Sequence, residues 1–180
     1  MQRVSVVGSS GSGKTTLARA LAAGLEVPLL ELDSIFHLPG WTPLPDEEFR
    51  AQVAEFTAGD LWVVDGNYTS LGIGDIVWSR ADTIVWMDLP KRIVMRRVVA
   101  RSLSRAATGE ELWNGNRERW SNLLKWAPEE NIVRWSWTRF DRTRDRYEQK
   151  LASDEWQHLE VRRLRTPAEV ERFVDSLTPR

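Results

Sequence analysis

The chain contains no cysteine. Disulfide frameworks and thiolate chemistry are therefore excluded. No uninterrupted apolar stretch is long enough to cross a bilayer. The first residues read as a strand, not as a charged region followed by a signal-type apolar run. Repeats, low-complexity tracts and obvious linkers are missing as well. What remains is 180 residues with 42% hydrophobic content. That is enough for one cored domain, or one with a mobile insert. A cytoplasmic protein is expected.

A net charge of −1 hides an asymmetry. Residues 1–90 carry 5 basic and 12 acidic side chains, and residues 91–150 carry 15 basic and 8 acidic. The two segments therefore stand at −7 and +7. Most of the central positives are arginine, which forms bidentate contacts with phosphate. They could form a solvated helical face, a nucleic-acid surface, or a clamp on a bound nucleotide.

The third reading gains weight from the N-terminus. An apolar run, Arg3-Val4-Ser5-Val6-Val7, leads into Gly8-Ser9-Ser10-Gly11-Ser12-Gly13-Lys14-Thr15, and helix formers begin at Thr16-Leu17-Ala18. This is G-x-x-x-x-G-K-[ST] in the strand–loop–helix setting of a phosphate-binding loop. Glycines let backbone N–H groups turn inward around a polyphosphate, and the helix N-terminus adds partial positive charge. Lys14 is placed to reach the β- and γ-phosphates, and the Thr15 hydroxyl to ligate Mg²⁺.

Strand-like runs recur at about residues 2–7, 27–32, 61–64, 83–87 and 157–164. Helical patterns fall at about 14–25, 45–56, 91–106, 117–127 and 129–151, with a last helix opened by Thr166-Pro167-Ala168-Glu169, a capping box. Val133, Trp137, Phe140, Tyr147 and Leu151 form an apolar stripe broken by Arg144. Residues 34–44 read as a loop, and residues 107–116 as a flexible segment. The alternation predicts an α/β protein, a three-layer P-loop NTPase fold with a five-stranded parallel sheet. Residues 1–180 are read as one domain whose helical lid spans about 102–140.

Ligands in such sheets bind beyond the carboxyl ends of the strands, where the loop, Asp33, Asp65 and Asp88 all fall. Asp65 follows four apolar strand residues and is the expected Mg²⁺ acid. Asp33 is a candidate to accept or orient an acceptor hydroxyl; capping its own turn is the alternative. Gly66 permits close backbone approach, and Asn67 offers a donor and an acceptor; both fit an acceptor pocket. Trp41, Phe36 and His37 could wall it, although Trp41 could equally anchor local packing and His37 read as a surface histidine. Arg97, Arg101 and Arg105 share one helix side, and Arg139, Arg142 and Arg146 another. Closing a lid between them would bring cations onto a transferring phosphoryl group. Trp113, Trp120, Trp126, Trp135 and Trp137 lie in this basic part and are read as helix packing, with base stacking as the alternative.

Together these stretches resemble P-loop nucleoside and nucleotide kinases, and most closely the adenylate-kinase-related group of DNA topology modulation proteins (FlaR-like). The resemblance rests on the loop, Leu32-Asp33 with Pro39-Gly40-Trp41, Trp62-Val63-Val64-Asp65-Gly66-Asn67-Tyr68, Arg80-Ala81-Asp82 through Asp88-Leu89-Pro90, and Gly115-Asn116-Arg117-Glu118. It implies ATP on the loop, Mg²⁺ at Thr15 and Asp65, and ATP contacts from Arg97 and Arg101. It also implies an acidic residue near the acceptor hydroxyl at Asp33. Asp33, Trp41, Gly66, Asn67, Arg80, Arg139 and Arg142 are the expected acceptor contacts. Adenylate kinases continue past the acid and glycine with Phe-Pro-Arg; here Asn67-Tyr68 stands instead, which favours phosphoryl transfer over a nucleoside monophosphate acceptor. A zinc-bearing lid is ruled out by the missing cysteines.

The expected activity is Mg-dependent phosphoryl transfer from ATP to a small molecule, by a monomer or homodimer without a membrane partner. The rivals are a P-loop ATPase or switch acting on a macromolecule, and a nucleic-acid-binding regulator. Neither an Asn-Lys-x-Asp guanine motif nor a Leu-Ser-Gly-Gly-Gln signature is present.

Overall fold

A computed structural model describes residues 1–68, 71–117 and 131–177. Five parallel strands form: the apolar runs β1 (Arg3–Gly8), β2 (Leu29–Glu31), β5 (Trp62–Asp65) and β6 (Thr83–Met87), and the mostly exposed edge strand β7 (Glu160–Leu164). Their order is β2-β5-β1-β6-β7. β1 lies at the centre, with Val4 opposite Val63 on one side and Thr83 on the other.

Strand alternation sorts side chains into two cores. Val7, Trp62, Val64, Ile84 and Trp86 face one layer, where they meet α3 (Asp46–Phe56) and α4 (Ile73–Trp78). Val4, Val6, Val63, Val85 and Met87 face the other, against α1 (Lys14–Leu25) and α5 (Lys91–Thr108). The long helix α6 (Ile132–Leu151) serves both, with Phe140 in the second core and Tyr147 in the first. The C-terminal helix α7 (Pro167–Asp175) completes the second layer. Its N-cap Thr166 accepts from the Glu169 N–H, while the Glu169 carboxylate accepts from the Arg165 N–H.

Several expectations change. Residues 34–44 are not one loop: a helical turn, α2 (Leu32–Phe36), leads into a small hairpin of β3 (His37–Leu38) and β4 (Thr42–Pro43). Helix α4 was not anticipated. Trp137 leaves the apolar stripe and stands 57% exposed, with the Lys91 ammonium 4.4 Å above its ring. Arg144 breaks the stripe because it reaches the buried Asp88, 3.3 Å away. Asp88 also accepts two bonds from Arg163, at 2.9 and 2.7 Å, so a buried charge at the end of β6 is paired within the fold. Residues 118–127 of the expected helix, Trp120 and Trp126 among them, lie outside the described residues, as do residues 118–130 of the expected lid.

Candidate active site

The loop between β1 and α1 is shaped by its contact with α5. A Cβ on Gly11 would run into the Val98 side chain and lie 3.0 Å from the Val94 carbonyl, and the backbone there has φ +82°. Only glycine fits both conditions. α1 begins without a side-chain cap and without an acid in its first turn. Its first N–H groups therefore remain available to an anion.

Beside the loop, the Thr15 hydroxyl donates to Asp65 Oδ2 at 2.5 Å. Asp65 Oδ1 is buried and makes no hydrogen bond among the described residues. Burial pushes the Asp65 carboxyl up, while the Lys14 charge and the Thr15 hydroxyl oppose that shift. An orphaned buried carboxylate oxygen beside a hydroxyl with free lone pairs fits a hard divalent cation such as Mg²⁺. Among the described residues no group of three His, Cys, Asp or Glu side chains could hold a metal on its own. Such an ion would therefore be shared with bound phosphate, the arrangement Mg²⁺ favours.

α5 sends two guanidinium groups to the loop. Arg97 donates to the Ser12 carbonyl at 2.9 Å, and Arg101 to the Ser10 hydroxyl at 3.0 Å. Arg105, one turn further, stands 3.7 Å from Glu110. Arg139 and Arg142 are not brought to the loop; both are exposed on α6, and Arg139 stacks 5.5 Å from the Trp135 ring.

Past Asp65 the chain makes two lateral contacts. Asn67 turns toward β1: its Oδ1 accepts the Gly8 N–H at 3.1 Å, and its Nδ2 donates to the Gly8 carbonyl. The buried Tyr147 hydroxyl of α6 donates to the same Oδ1 at 2.8 Å. Asn67 thus braces the start of the phosphate loop, and with Gly66, Tyr68 and Tyr147 it also lines a small cavity. Tyr68 turns the other way, toward β2, and donates to Asp33 Oδ1 at 2.6 Å. Gly66 makes this possible: at φ +148° a Cβ would lie 2.8 Å from the Leu32 side chain. Asp33 Oδ2 makes no hydrogen bond among the described residues.

The segment after α5 folds back on α2 and the hairpin. Trp113 Nε1 donates to Glu31 at 3.3 Å, and Asn114 to the Ser34 and His37 carbonyls at 3.0 and 2.7 Å. The buried Asn116 accepts the Trp41 N–H at 2.8 Å and donates to the Leu38 carbonyl at 3.0 Å. Trp113, Asn114 and Asn116 are thus held by bonds to residues far earlier in the chain. His37 lies half-buried against Phe36, Trp41 and Trp113, not as a lone surface side chain. Burial pushes its imidazole down against the pull of Asp33, leaving the ring neutral near pH 7.

Arg80 lies elsewhere. It precedes β6, at the edge of the sheet opposite the loop, and donates to the Ala54 carbonyl and the Thr57 hydroxyl at the end of α3. Its expected acceptor role is corrected to closing a helix C-terminus. Tyr68, Trp113, Asn114 and Tyr147 were not singled out as site residues. For Tyr68 the signal was its place in Asp-Gly-Asn-Tyr; for the others the partners are 77–82 residues away.

No protein-family model matches this sequence, and no curated protein is significantly similar to it. Solved structures do match. The chain is similar to a shikimate kinase from Acinetobacter baumannii solved with shikimate, at 15% identity and TM-score 0.58, covering 98% of this chain and 90% of that one. A shikimate kinase from Bacteroides thetaiotaomicron aligns at 14% identity and TM-score 0.56, covering 98% and 96%. A gluconokinase from Sinorhizobium meliloti aligns at 17% identity and TM-score 0.50, covering 98% and 95%. These likenesses are of fold: the chain shares the α/β architecture, with its five-stranded parallel sheet, of the solved kinases it matches. No helix among the described residues is long and apolar enough to cross a membrane.

Proposed function

We propose that the protein is a small-molecule kinase that transfers the γ-phosphoryl group of ATP to an acceptor hydroxyl. The observation that carries this reading is the juxtaposition along one sheet edge. An uncapped phosphate loop, a Thr15–Asp65 pair with an orphaned oxygen, and Asp33 with one open oxygen stand at the ends of adjacent strands. The similar structures bear the names of shikimate, gluconate and sugar kinases, which supports the same class of reaction.

In this reading Gly8, Ser9, Ser10, Gly11, Ser12, Gly13, Lys14, Thr15 and Thr16 hold the triphosphate. Thr15 and Asp65 hold Mg²⁺, which when bound neutralises phosphate charge. Lys14, Arg97 and Arg101 stabilise the charge that develops on the equatorial oxygens. As the acceptor oxygen forms its bond to phosphorus, the β–γ bridging bond breaks and ADP leaves. The hydroxyl proton passes to Asp33 Oδ2. A carboxylate in this position disfavours an acceptor whose attacking oxygen is itself anionic, as in a nucleoside monophosphate: two unit charges 4 Å apart repel by about 4 kcal/mol at an effective dielectric of ~20. A hydroxyl acceptor is therefore preferred over a nucleoside monophosphate, and the adenylate-kinase and FlaR-like resemblance is taken as one of fold and loop.

The test is ADP formation from Mg-ATP with and without shikimate, gluconate, hexoses, nucleosides and nucleoside monophosphates. Acceptor-dependent ADP that vanishes in Lys14→Ala and falls ~10²-fold or more in Asp33→Asn supports the reading. Turnover indifferent to every acceptor refutes it in favour of an ATPase or switch.

A further inference from the structure

We infer that Tyr68 is a positioning residue: it fixes the Asp33 carboxylate so that one oxygen alone faces the acceptor hydroxyl. The inference rests on the kinase reading above. An aspartate χ2 torsion is broad and roughly two-fold, so an untethered carboxylate presents either oxygen in many orientations. Here Oδ1 is committed to the Tyr68 hydroxyl at 2.6 Å, and Oδ2 is left without a hydrogen bond among the described residues. The donor itself cannot swing. Its ring sits 4.7 Å from that of Phe36 and 5.0 Å from that of Phe49, the latter edge-on at 76°.

The pair is also one-directional. Burial, and then the Asp33 charge, push the Tyr68 phenol far above its ordinary range. Tyr68 therefore keeps its proton and acts toward Asp33 as a donor only. It does not take the proton that Asp33 receives. Its contribution is geometric, holding the acceptor of that proton within the narrow range that proton transfer demands.

Tyr68→Phe removes the hydroxyl and keeps the ring packing. In wild-type protein assayed with the most active acceptor of the panel, Tyr68→Phe is expected to lower kcat ~10-fold, part of what a positioned base supplies. KM for ATP should stay within about twofold, because the loop is untouched. The decisive comparison is the cycle with Asp33→Asn. If Tyr68 acts through Asp33, adding Tyr68→Phe to Asp33→Asn costs no further kcat. An undiminished loss in that background, or a loss appearing mainly in KM for ATP, overturns the inference in favour of a packing role. So does wild-type kcat in Tyr68→Phe, while leaving the kinase reading intact. Absence of acceptor-dependent ADP formation by the wild-type protein overturns both.

Discussion

Replacing Asn67 with alanine is the sharpest probe of how the phosphate loop is held. The amide serves three groups: the Gly8 N–H, the Gly8 carbonyl and the Tyr147 hydroxyl. Alanine can satisfy none of them. A buried polar group left without its bond costs about 1–3 kcal/mol, so three give about 3–9 kcal/mol if all stay dry. Gly8 and Tyr147 are both buried, so relief comes from water entering the space that the amide vacates, which offsets part of this cost. The expected loss is therefore about 2–5 kcal/mol. For a chain of this size each kcal/mol lowers Tm by about 2–4 °C, so Tm should fall by about 4–20 °C. Tyr147→Phe should cost only about 1 kcal/mol, because the Asn67 oxygen keeps its Gly8 partner. The double variant should lose less than the sum, since the shared bond is removed only once. Thermal unfolding of the four proteins, with KM for ATP and acceptor, makes the measurement. An unchanged Tm combined with a raised acceptor KM would refute the brace and return Asn67 to the acceptor pocket.

Two further outcomes follow from the same geometry. Asp82 accepts the Gln2 and Arg3 N–H groups at 2.9 and 2.8 Å and the Thr83 hydroxyl at 2.6 Å. Burial alone would push its carboxyl up, but these bonds outweigh it and hold the carboxyl below its ordinary value. Its stabilisation is therefore complete above the unfolded value of about 3.9 and lost as pH falls through the lower folded value. Urea melts should show wild type more stable than Asp82→Asn near pH 7, with the gap closing below about pH 4; a gap independent of pH would contradict the assignment. Asn116→Ala removes bonds to Trp41, Leu38 and Trp113 and should release residues 111–116 at a cost of about 1–3 kcal/mol. A red shift in tryptophan emission and faster proteolysis there are expected; an unchanged spectrum and cleavage rate would show the docking to be unimportant.

The central strands β1, β5 and β6 could be read because each is a short apolar run ending in a turn or an acid, the composition that burial on both faces favours. α4 could not, because Ile73–Trp78 spans less than two helical turns and shows no full period. The hairpin of two-residue strands is equally short, and its stability comes from Asn114 and Asn116, far along the chain. Asn67 shows a different limit. Its amide can face a ligand or a backbone peptide equally well, and sequence pattern cannot distinguish a pocket from a brace. Arg80 stood in a stretch resembling kinases, yet its direction was set by the end of α3, which offers unpaired carbonyls. The loop was legible because its glycines, lysine and threonine carry their chemistry in order and in one place.

Asn67 and Tyr68 are consecutive, yet one grips the neighbouring strand β1 and the other the helical turn α2 that follows the strand on the opposite side, β2. The stretch from Asp65 to Tyr68 therefore behaves as a ruler. One residue deleted before Asn67 would set the phenol against the phosphate loop, and one inserted there would set the amide against Asp33. Length changes in this chain should consequently stop short of the four residues from Asp65 to Tyr68.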